Sequence, residues 1–272
     1  MVVDATLGSG GHAREILKHI GPKGRLIGID QDPEAIQRTQ TNLQAFPQVD
    51  YAPKNFSELD EILKHLNLRH VDAVLLDVGI SSEQLEEAGR GFSFLKEGPL
   101  DMRMNPGGPV TARDLVNDLS QEELEKIFWT YGEERWGRRI ARRICEERIP
   151  HPLETTGDLV RVIQKAVPRR FHFGPRHPAT KVFQALRIKV NDELEALQAA
   201  LPKALEALAP KGRLAVICFH SLEDRIVKQT FREWASQGLV EILTRKVVKP
   251  SPQEKERNPR SRSARLRAIE KK

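Results

Sequence analysis

The sequence is poor in cysteine, since Cys145 and Cys218 are the only two among 272 residues. Two cysteines cannot build a disulfide framework or a four-cysteine zinc site, and they fit a protein of the reducing cytosol. Long apolar runs are also missing, because the longest, residues 214–219, is far below the roughly 18 residues that span a bilayer. No signal-peptide pattern opens the chain. We therefore expect a cytoplasmic protein without a membrane partner.

Acidic charge is scarce in two stretches of a chain whose formal net charge is +6. Residues 135–189 contain 14 Lys and Arg against four Asp and Glu, and residues 244–272 contain 11 against three. Such basic segments are typical of nucleic-acid binding, because Lys and Arg displace counterions from phosphates. A solvated helix face and a disordered basic tail would give the same pattern, so charge alone leaves both interpretations open.

Short apolar runs alternate with helical patterns over the first hundred residues. The pattern predicts strands at 1–5, 25–30, 49–52 and 71–77, and helices at 10–20, 33–43 and 57–66. Such alternation is typical of a parallel sheet with helices on both faces. The first strand starts at the first residue, so we expect either that the domain begins there or that an N-terminal segment is missing.

The pattern changes after residue 83. Residues 83–109 are rich in Gly and Pro, and residues 110–210 read almost entirely as helix, with a capping box at Ser120. Strand patterns return at 213–219, 239–244 and 264–269, with a helix at 223–235 between the first two. The sequence thus predicts an α/β domain of residues 1–109 and 201–272, interrupted by a helical insertion of residues 110–200. Residues 244–263 are expected to form a mobile basic loop.

A glycine-rich turn, D-A-T-L-G-S-G-G-H, follows the first predicted strand and ends at His12. Its glycines, Gly8, Gly10 and Gly11, permit a close approach of the backbone to a ligand. The spacing also fits a dinucleotide fingerprint, which makes it weak evidence by itself. Asp4 stands directly before the glycines, where its charge would repel a pyrophosphate but suit a cationic ligand.

Three predicted strands end in an acid, namely Asp4, Asp30 and Asp77. Ligands of such sheets bind beyond the carboxyl ends of the strands, so these acids share one rim. S-adenosylmethionine carries an ammonium and a sulfonium, and Asp30 is placed to accept hydrogen bonds from ribose hydroxyls. Asp77 would lie beside the adenine or the methionine end. The acids favour S-adenosylmethionine over NAD as the cofactor.

Several motifs together resemble the bacterial small-subunit ribosomal RNA cytosine-N4 methyltransferases, the RsmH or MraW family. They run in order along the chain as DATLGSGGH, GIDQDP, LDVGISSEQL, RGFSF, GPLDMRM, YGEER, HPAT, FQALRI, VNDEL, FHSLEDR and NPRSRS. The resemblance implies a class I, Rossmann-like, S-adenosylmethionine-dependent methyltransferase sheet with an inserted all-helical domain. It also implies N4 methylation of a cytidine in the decoding region of small-subunit (16S) rRNA. Family members usually carry a short segment before the first strand, which is absent here.

The resemblance also implies which residues contact S-adenosylmethionine. Together with Gly8 of the glycine turn, these expected cofactor residues are Gly10, Gly11, His12, Asp30, Phe56, Asp77 and Gln84.

Methylation of a cytosine N4 needs positioning rather than a metal. The amine is a poor nucleophile, so an acceptor must hold one of its protons while the base is turned out into a pocket. Asp77, Asp101 or backbone carbonyls of residues 79–82 could supply that acceptor. The loop around Asp101 contains two methionines and Arg103; it could hold the base, with Arg103 on a phosphate or base, or simply plug the core. His220 could touch the base at the rim, whereas Ser221 reads as the cap of the following helix.

Candidate RNA contacts come from the two basic stretches and from one helix face. Four arginines of one predicted helix share a face, and a polar stripe on a later helix borders its apolar face. A solvated surface is the alternative explanation of both patterns, and for the stripe an RNA- or cleft-facing role is favoured over it. The candidates are Arg135, Arg138, Arg139, Arg142, His177, Thr180, Gln184, Arg187, Asn191, Arg260 and Arg262.

Three rival functions stay open at this point. An RNA cytosine-C5 methyltransferase would need a cysteine nucleophile, for which Cys218 is at a suitable strand end. An NAD-dependent dehydrogenase would use the glycine turn, and a non-catalytic RNA-binding or assembly factor would keep the fold alone. The expected partner is ribosomal RNA or the small ribosomal subunit, bound by a monomer or a homodimer.

Overall fold

Seven strands form one sheet in the computed structural model, which describes residues 1–174 and 177–272. Their order across the sheet is β3-β2-β1-β4-β5-β7-β6, and β7 alone runs antiparallel to its neighbours β5 and β6. This order and these directions are those of the class I methyltransferase fold, as the resemblance implied. The strands are β1 (Val2–Asp4), β2 (Leu26–Ile29), β3 (Val49–Ala52), β4 (Val71–Asp77), β5 (Leu208–Cys218), β6 (Val240–Ile242) and β7 (Arg265–Lys271).

The chain divides into two compact units, residues 1–79 with 194–272, and residues 80–193. The sheet and six helices belong to the first unit, here called the sheet unit. These helices are α1 (Gly11–Ile20), α2 (Pro33–Asn42), α3 (Leu59–His65), α10 (Glu193–Ala207, whose first residue closes the other unit), α11 (Ser221–Ser236) and α12 (Pro252–Arg257). The predicted helices at 10–20 and 33–43 and the predicted strands are confirmed to within a few residues.

The faces of the sheet bury two apolar clusters. Leu26 of β2 packs in one cluster with Leu17 of α1 and Ile36 of α2. Its neighbour Ile27 packs in the other, with residues of α3, α10 and α11 such as Phe231. Successive side chains of a strand point to opposite faces, so helices cover both faces of the sheet as predicted.

The second unit contains helices and no named strand over its described residues, and it is here called the helical unit. Its helices are α4 (Ser82–Glu86), α5 (Ala112–Asp118), α6 (Gln121–Gly132), α7 (Gly137–Glu147), α8 (Thr156–Ala166) and α9 (Thr180–Val190). Capping boxes at Thr111, Ser120 and Thr155 start α5, α6 and α8, because each cap hydroxyl accepts from a backbone amide three residues on. The capping box predicted at Ser120 is confirmed.

The helical unit begins near residue 80 and ends near 193, whereas the sequence predicted an insertion of residues 110–200. Leu100, Met102 and Met104 explain the earlier start, because their side chains are buried in the same apolar cluster as Phe128 and Phe183. A loop that is buried this way belongs physically to the helices that cover it. The two methionines thus pack in the core, which is the structural alternative stated for that loop.

Residues 244–263 are more regular than the mobile loop that the sequence predicted. Ser251 caps α12 by accepting from the amide of Glu254, and Pro252 occupies the first helical position. A 3₁₀ turn, Pro259–Ser263, follows and carries Arg260 and Arg262. Among the described residues, no helix is both long and apolar enough to cross a membrane.

Candidate functional site

The acids predicted at the rim of the sheet do meet at the carboxyl ends of adjacent parallel strands. β1 lies between β2 and β4, with Asp4 in register with Gly28 and Leu75. Asp30 and Asp77 therefore stand two residues beyond the level of Asp4 on the flanking strands. The sheet thus brings three carboxylates to one edge of the sheet unit.

Asp4 is the deepest of the three and has no exposed surface. Its Oδ1 accepts from the amide of Thr6 at 3.3 Å, whereas its Oδ2 has no hydrogen-bond partner among the described residues. Burial raises the pKa of Asp4 to about 6, although the positive charge of His12 opposes the rise. A buried carboxylate oxygen that lacks a hydrogen-bond partner is suited to a donor or a cation from outside the chain.

His12, in the first turn of α1, reaches across to Asp77 at the end of β4. Its Nε2 donates to Oδ2 of Asp77 at 3.1 Å. This hydrogen bond raises the pKa of His12 above its ordinary value, while burial opposes the rise. The other oxygen of Asp77, Oδ1, is buried without a partner among the described residues. Asp77 therefore offers one oriented acceptor beside the one on Asp4.

Asp30 holds the glycine turn in place. Its Oδ2 accepts from the amide of Gly8 at 2.8 Å and its Oδ1 from the amide of Asp32 at 2.9 Å. Burial raises the pKa of Asp30, against the two backbone hydrogen bonds that lower it. A carboxylate has about four acceptor sites, so Asp30 can still accept from a ligand hydroxyl.

The turn between β1 and α1 depends on glycine for a steric reason. Gly10 caps α1 with φ +82°, and a Cβ there would lie 2.8 Å from Cγ2 of Thr39. Gly8 also has a positive φ, +52°, and its carbonyl oxygen accepts a hydrogen bond from the Thr39 hydroxyl at 2.7 Å. Nothing lies within 4 Å of a Cβ built on Gly11, so open space borders the turn there. The turn is shaped for close approach from outside.

Two threonines that the sequence analysis did not single out complete this arrangement. Thr6 accepts from the amide of Asp77 through its Oγ1 at 2.7 Å and so ties the turn to β4. Thr39 of α2 clamps the turn through Gly8. The position of Thr6 inside the D-A-T-L-G motif could have pointed to it, but Thr39 is remote in sequence and carries no such signal.

Phe56 and His220 lie elsewhere in the sheet unit. Phe56 begins a 3₁₀ turn that Asn55 caps, and it packs half-buried against the main apolar cluster. His220 is the cap of α11, so the cap predicted at Ser221 is wrong by one residue. Its Nδ1 accepts from the amide of Glu223 at 3.4 Å, and its Nε2 lies 3.0 Å from Glu223 Oε1. His220 thus serves the helix start in this structure.

Cys218 ends β5 and is fully buried. Burial is the main cause that raises the pKa of the Cys218 thiol above its ordinary value. Only a thiolate is an effective nucleophile, so this thiol is poorly suited to attack a base. The C5 mechanism, which needs that attack, is not favoured.

In the helical unit, Asp101 and Arg103 form a closed pair. The Arg103 guanidinium donates from Nε and Nη2 to the two oxygens of Asp101 at 2.9 and 2.6 Å, and from Nη1 to the carbonyl of Gly108 at 2.8 Å. Met102 between them has φ +64°, an uncommon conformation for a methionine. The side chain of Met102 is buried in the core, whereas the ion pair lies at the surface. Backbone strain like that of Met102 is often found at functional sites.

The polar stripe of α9 has partners inside the helical unit rather than a free face. Gln184 donates to the Tyr131 carbonyl at 3.0 Å, and Arg187 pairs with Glu193 at 2.7 Å. Asn191 accepts from the amide of Met104 and donates to the carbonyl of Met102, at 2.7 and 2.8 Å. The stripe predicted as an RNA-facing surface therefore connects α9 to α6 and to the 102–104 loop. Its first residue, Thr180, starts α9.

His177 and Gln84 are also engaged within the helical unit. The ring of His177 stacks on Phe94 with centroids 4.8 Å apart, and its Nδ1 accepts from the amide of Ala179 at 3.2 Å. Burial lowers the pKa of His177, which disfavours a charged contact with phosphate. Gln84 is buried and forms a capping box with Ser81.

The basic face predicted near α7 is exposed and carries guanidinium–aromatic contacts. Arg135 precedes α7 rather than lying in it, and its guanidinium lies 4.3 Å from the ring centroid of Phe171. Arg139 lies 5.5 Å from the ring of Trp136. Arg142 pairs with Glu146 at 3.3 Å, and Arg138 is exposed. Stacked guanidinium groups of this kind leave N–H donors free at their edges.

The residues at the rim fit S-adenosylmethionine on three observations. Two buried acceptor oxygens, on Asp4 and Asp77, have no partner in the described part of the chain. Three carboxylates face one histidine, which leaves an excess of negative charge for a cationic group. The glycine turn borders open space at Gly11. A pyrophosphate would meet these acids unfavourably, so a dinucleotide fits less well.

Comparison with known proteins gives consistent matches over the whole chain. The family model described as the MraW methylase family matches residues 1–272. A protein of Heliobacterium mobile named ribosomal RNA small subunit methyltransferase H is 48% identical, with 100% of this chain and 92% of that protein covered. The protein of the same name from Clostridium botulinum strain Loch Maree is 47% identical, with 99% and 92% covered.

Solved structures resemble the chain more distantly. An rRNA methylase from Streptococcus thermophilus is 11% identical with a TM-score of 0.46, covering 99% of this chain and 85% of that one. Fibrillarin from Aeropyrum pernix, with bound S-adenosyl-L-methionine, is 11% identical with a TM-score of 0.41, covering 98% and 65%.

Proposed function

The chain belongs to the MraW methylase family, and from this membership we infer that it methylates the exocyclic N4 amine of a cytidine in small-subunit ribosomal RNA with S-adenosylmethionine as the methyl donor. The observation that carries the inference to this chain's own residues is the acid rim, where Asp4 and Asp77 each hold a buried oxygen without a described partner. Neither NAD chemistry nor a cysteine nucleophile fits that rim or the buried Cys218.

The cofactor would be held by the sheet unit through Gly8, Gly10, Gly11, His12, Asp30, Phe56 and Asp77. The carboxylate of Asp4 is suited to the positive charge of the cofactor, because it is buried, largely ionised at pH 7 and close to no described cation except His12. Asp30 can accept from ribose hydroxyls while it keeps the turn in place. Gln84, the remaining candidate, is positioned in the helical unit by its capping box.

Bound S-adenosylmethionine supplies a sulfonium-activated methyl group for in-line transfer. The chain must then orient the N4 amine and accept one of its protons, because the nitrogen lone pair is delocalised into the cytosine ring. Asp77 Oδ1 is the better placed of the candidate acceptors in hydrogen-bonding terms, since it has no described partner. Asp101 is the less available acceptor, because Arg103 donates to both of its oxygens. We propose that Asp101 instead orients Arg103 toward the substrate, and that His220 positions the start of α11.

RNA would be held by basic surfaces, of which the exposed face of Arg135, Arg138, Arg139 and Arg142 is one. The exposed Arg260 and Arg262 belong to a second, in the sheet unit. We propose the small ribosomal subunit as the partner and the cytoplasm as the location. Both free cysteines, Cys145 and Cys218, fit a reducing compartment.

The test is methyl transfer from labelled S-adenosylmethionine to small ribosomal subunits that lack the modification, followed by nucleoside analysis. N4-methylcytidine at a single site is the expected product. A label on the C5 position, or binding of NADH in place of S-adenosylmethionine, would overturn the proposal. Tight rRNA binding without transfer to naked rRNA, assembly intermediates or mature subunits would instead identify a non-catalytic assembly factor.

A further inference from the structure

A basic groove lies in the sheet unit, away from the three rim acids. Its cavity of about 550 Å³ lies between α11 and the segment that follows β6. Five exposed cations line it, namely Lys228, Arg232, Arg245, Lys246 and Lys249. We use the name basic groove for this cavity and these five residues.

The cations of the basic groove are clustered without compensating charge. None of the five forms an ion pair with a described residue, and no carboxylate lines the cavity. Lys228 and Arg232 stand four residues apart on α11, a spacing at which like charges destabilise a helix. Arg267, also in the lining, is already neutralised by Asp224 at 2.7 Å. Such a cluster costs folding free energy unless an anion occupies it.

The shape of the basic groove favours an extended polyanion over a single ion or a flat surface. Its volume is in the range of sites for whole small molecules rather than for one phosphate. Phe231, Ile242 and Val247 add apolar surface to the lining. A groove with exposed cations on both walls suits a strand with regularly spaced phosphates.

The sheet places one wall of the basic groove, the segment that follows β6, on the edge where the cofactor residues lie. β6 and β5 both pair antiparallel with β7, so β6 is parallel to β5 and to β4. Residues 243–249 therefore leave β6 at the same carboxyl edge that carries Asp77. From β4 to β6 there are three strand steps of about 4.8 Å, or roughly 14 Å along the edge. A nucleic-acid strand with one base at the rim can reach that far.

We propose that the basic groove binds the phosphates of the RNA strand that flanks the target cytidine. The proposal rests on the proposed function, because it takes the RNA substrate from there. The basic groove would position the strand through its backbone and contribute nothing to base choice.

The first test measures binding of a small-subunit rRNA fragment by fluorescence anisotropy at several salt concentrations. The groove variant combines Lys228→Gln with Arg232→Gln. The control variant combines Lys23→Gln with Lys64→Gln and so removes two positive charges, as the groove variant does, from exposed lysines outside the groove. Each lost phosphate contact lowers the salt slope by about 0.7–0.9, which corresponds to roughly four- to sixfold weaker binding at 0.15 M salt. The groove variant should thus bind roughly 15- to 30-fold more weakly, with a smaller slope, and the control should match the wild type.

Equal affinity and slope for the groove variant and the control would overturn the proposal, as would tighter binding of the wild type to phosphatidylserine vesicles than to RNA. A second variant that combines Arg245→Gln with Lys249→Gln repeats the test from the other wall of the groove. Methyl transfer by these variants should show a raised KM for RNA and an unchanged kcat, with unchanged S-adenosylmethionine affinity in calorimetry. Failure of methyl transfer by the wild type would count against the proposed function alone, since RNA binding is measured separately.

Discussion

Asp4 gives a prediction in which stability and function change in opposite directions. Its carboxyl is fully buried, and burial raises its pKa from 3.8 to about 6. One pKa unit corresponds to 1.36 kcal/mol, so ionising Asp4 in the folded protein costs about 3 kcal/mol of stability. The pKa of Asp4 is higher in the folded protein than in the unfolded chain. These roughly 3 kcal/mol of stability are therefore present below pH 3.8 and are lost as the pH rises through about 6.

Replacement by Asn removes this titration. Relative to the wild type, Asp4→Asn should gain about 3 kcal/mol between strongly acidic and neutral pH, with about 2 kcal/mol of the gain between pH 4.5 and pH 7. The amide also leaves a buried donor unpaired, which costs about 1–3 kcal/mol at every pH. The pH dependence of the difference is therefore the diagnostic quantity, not its value at one pH.

Urea denaturation of both proteins between pH 4.5 and pH 7, without cofactor, measures this difference. Asp118→Asn is the matched control, because it removes a carboxylate that is exposed, at the end of α5, instead of buried. Calorimetry at pH 7 should show S-adenosylmethionine binding roughly 10- to 100-fold more weakly to Asp4→Asn, as expected for loss of one charged partner. A stability difference that does not change with pH would refute the account of Asp4 as a desolvated, ionised acid.

Three further predictions concern the turn, the cysteine and the division of labour among the acids. Gly10→Ala should lower stability by about 1–3 kcal/mol and weaken cofactor binding, because φ is positive there and the added Cβ would lie 2.8 Å from Cγ2 of Thr39. Thermal denaturation measures the loss of stability, and an unchanged Tm would contradict the prediction. Cys218→Ser should keep its kcat, whereas complete loss in a folded variant would revive the C5 mechanism. Asp30→Ala should mainly raise the Kd for S-adenosylmethionine and Asp101→Ala should mainly lower kcat, and equal effects on cofactor binding would exclude this division.

The sheet could be predicted because its signals are local. An apolar run that ends in an acid marks both the strand and its carboxyl end, and the predicted strands at 1–5, 25–30 and 71–77 all carry this signal. Parallel pairing then requires Asp4, Asp30 and Asp77 to share an edge. No distance between them was needed for that inference, only the order of strands and helices.

The boundary of the helical unit could not be predicted in this way. Residues 83–109 lack any periodicity, and their glycines and prolines are typical of a surface loop. The structure buries Leu100, Met102 and Met104 through long-range contacts, including the two hydrogen bonds between Asn191 and the 102–104 backbone. A partner almost ninety residues away leaves no trace in local composition.

For the polar stripe of α9, the sequence predicts the position of the side chains but not their partners. Spacing predicts correctly that Gln184, Arg187 and Asn191 lie beside the apolar face, but it does not say what covers them. Their partners are a carbonyl of α6, Glu193 and the 102–104 loop. Buried or half-buried polar groups must be satisfied, and here neighbouring protein groups supply partners for these side chains.

The sheet unit therefore places acidic and basic groups at separate positions along the carboxyl edge of its sheet. The acids near β1, β2 and β4 suit a cationic cofactor, and the cations beyond β6 suit a polyanionic strand. At roughly 14 Å, their separation exceeds the Debye length of about 8 Å at physiological salt, so neither field weakens the other much. The buried Asp4 is screened less than the exposed lysines and arginines. Rising salt should consequently raise the KM for RNA much more than it changes the affinity for S-adenosylmethionine, because the RNA interaction depends mainly on exposed charge.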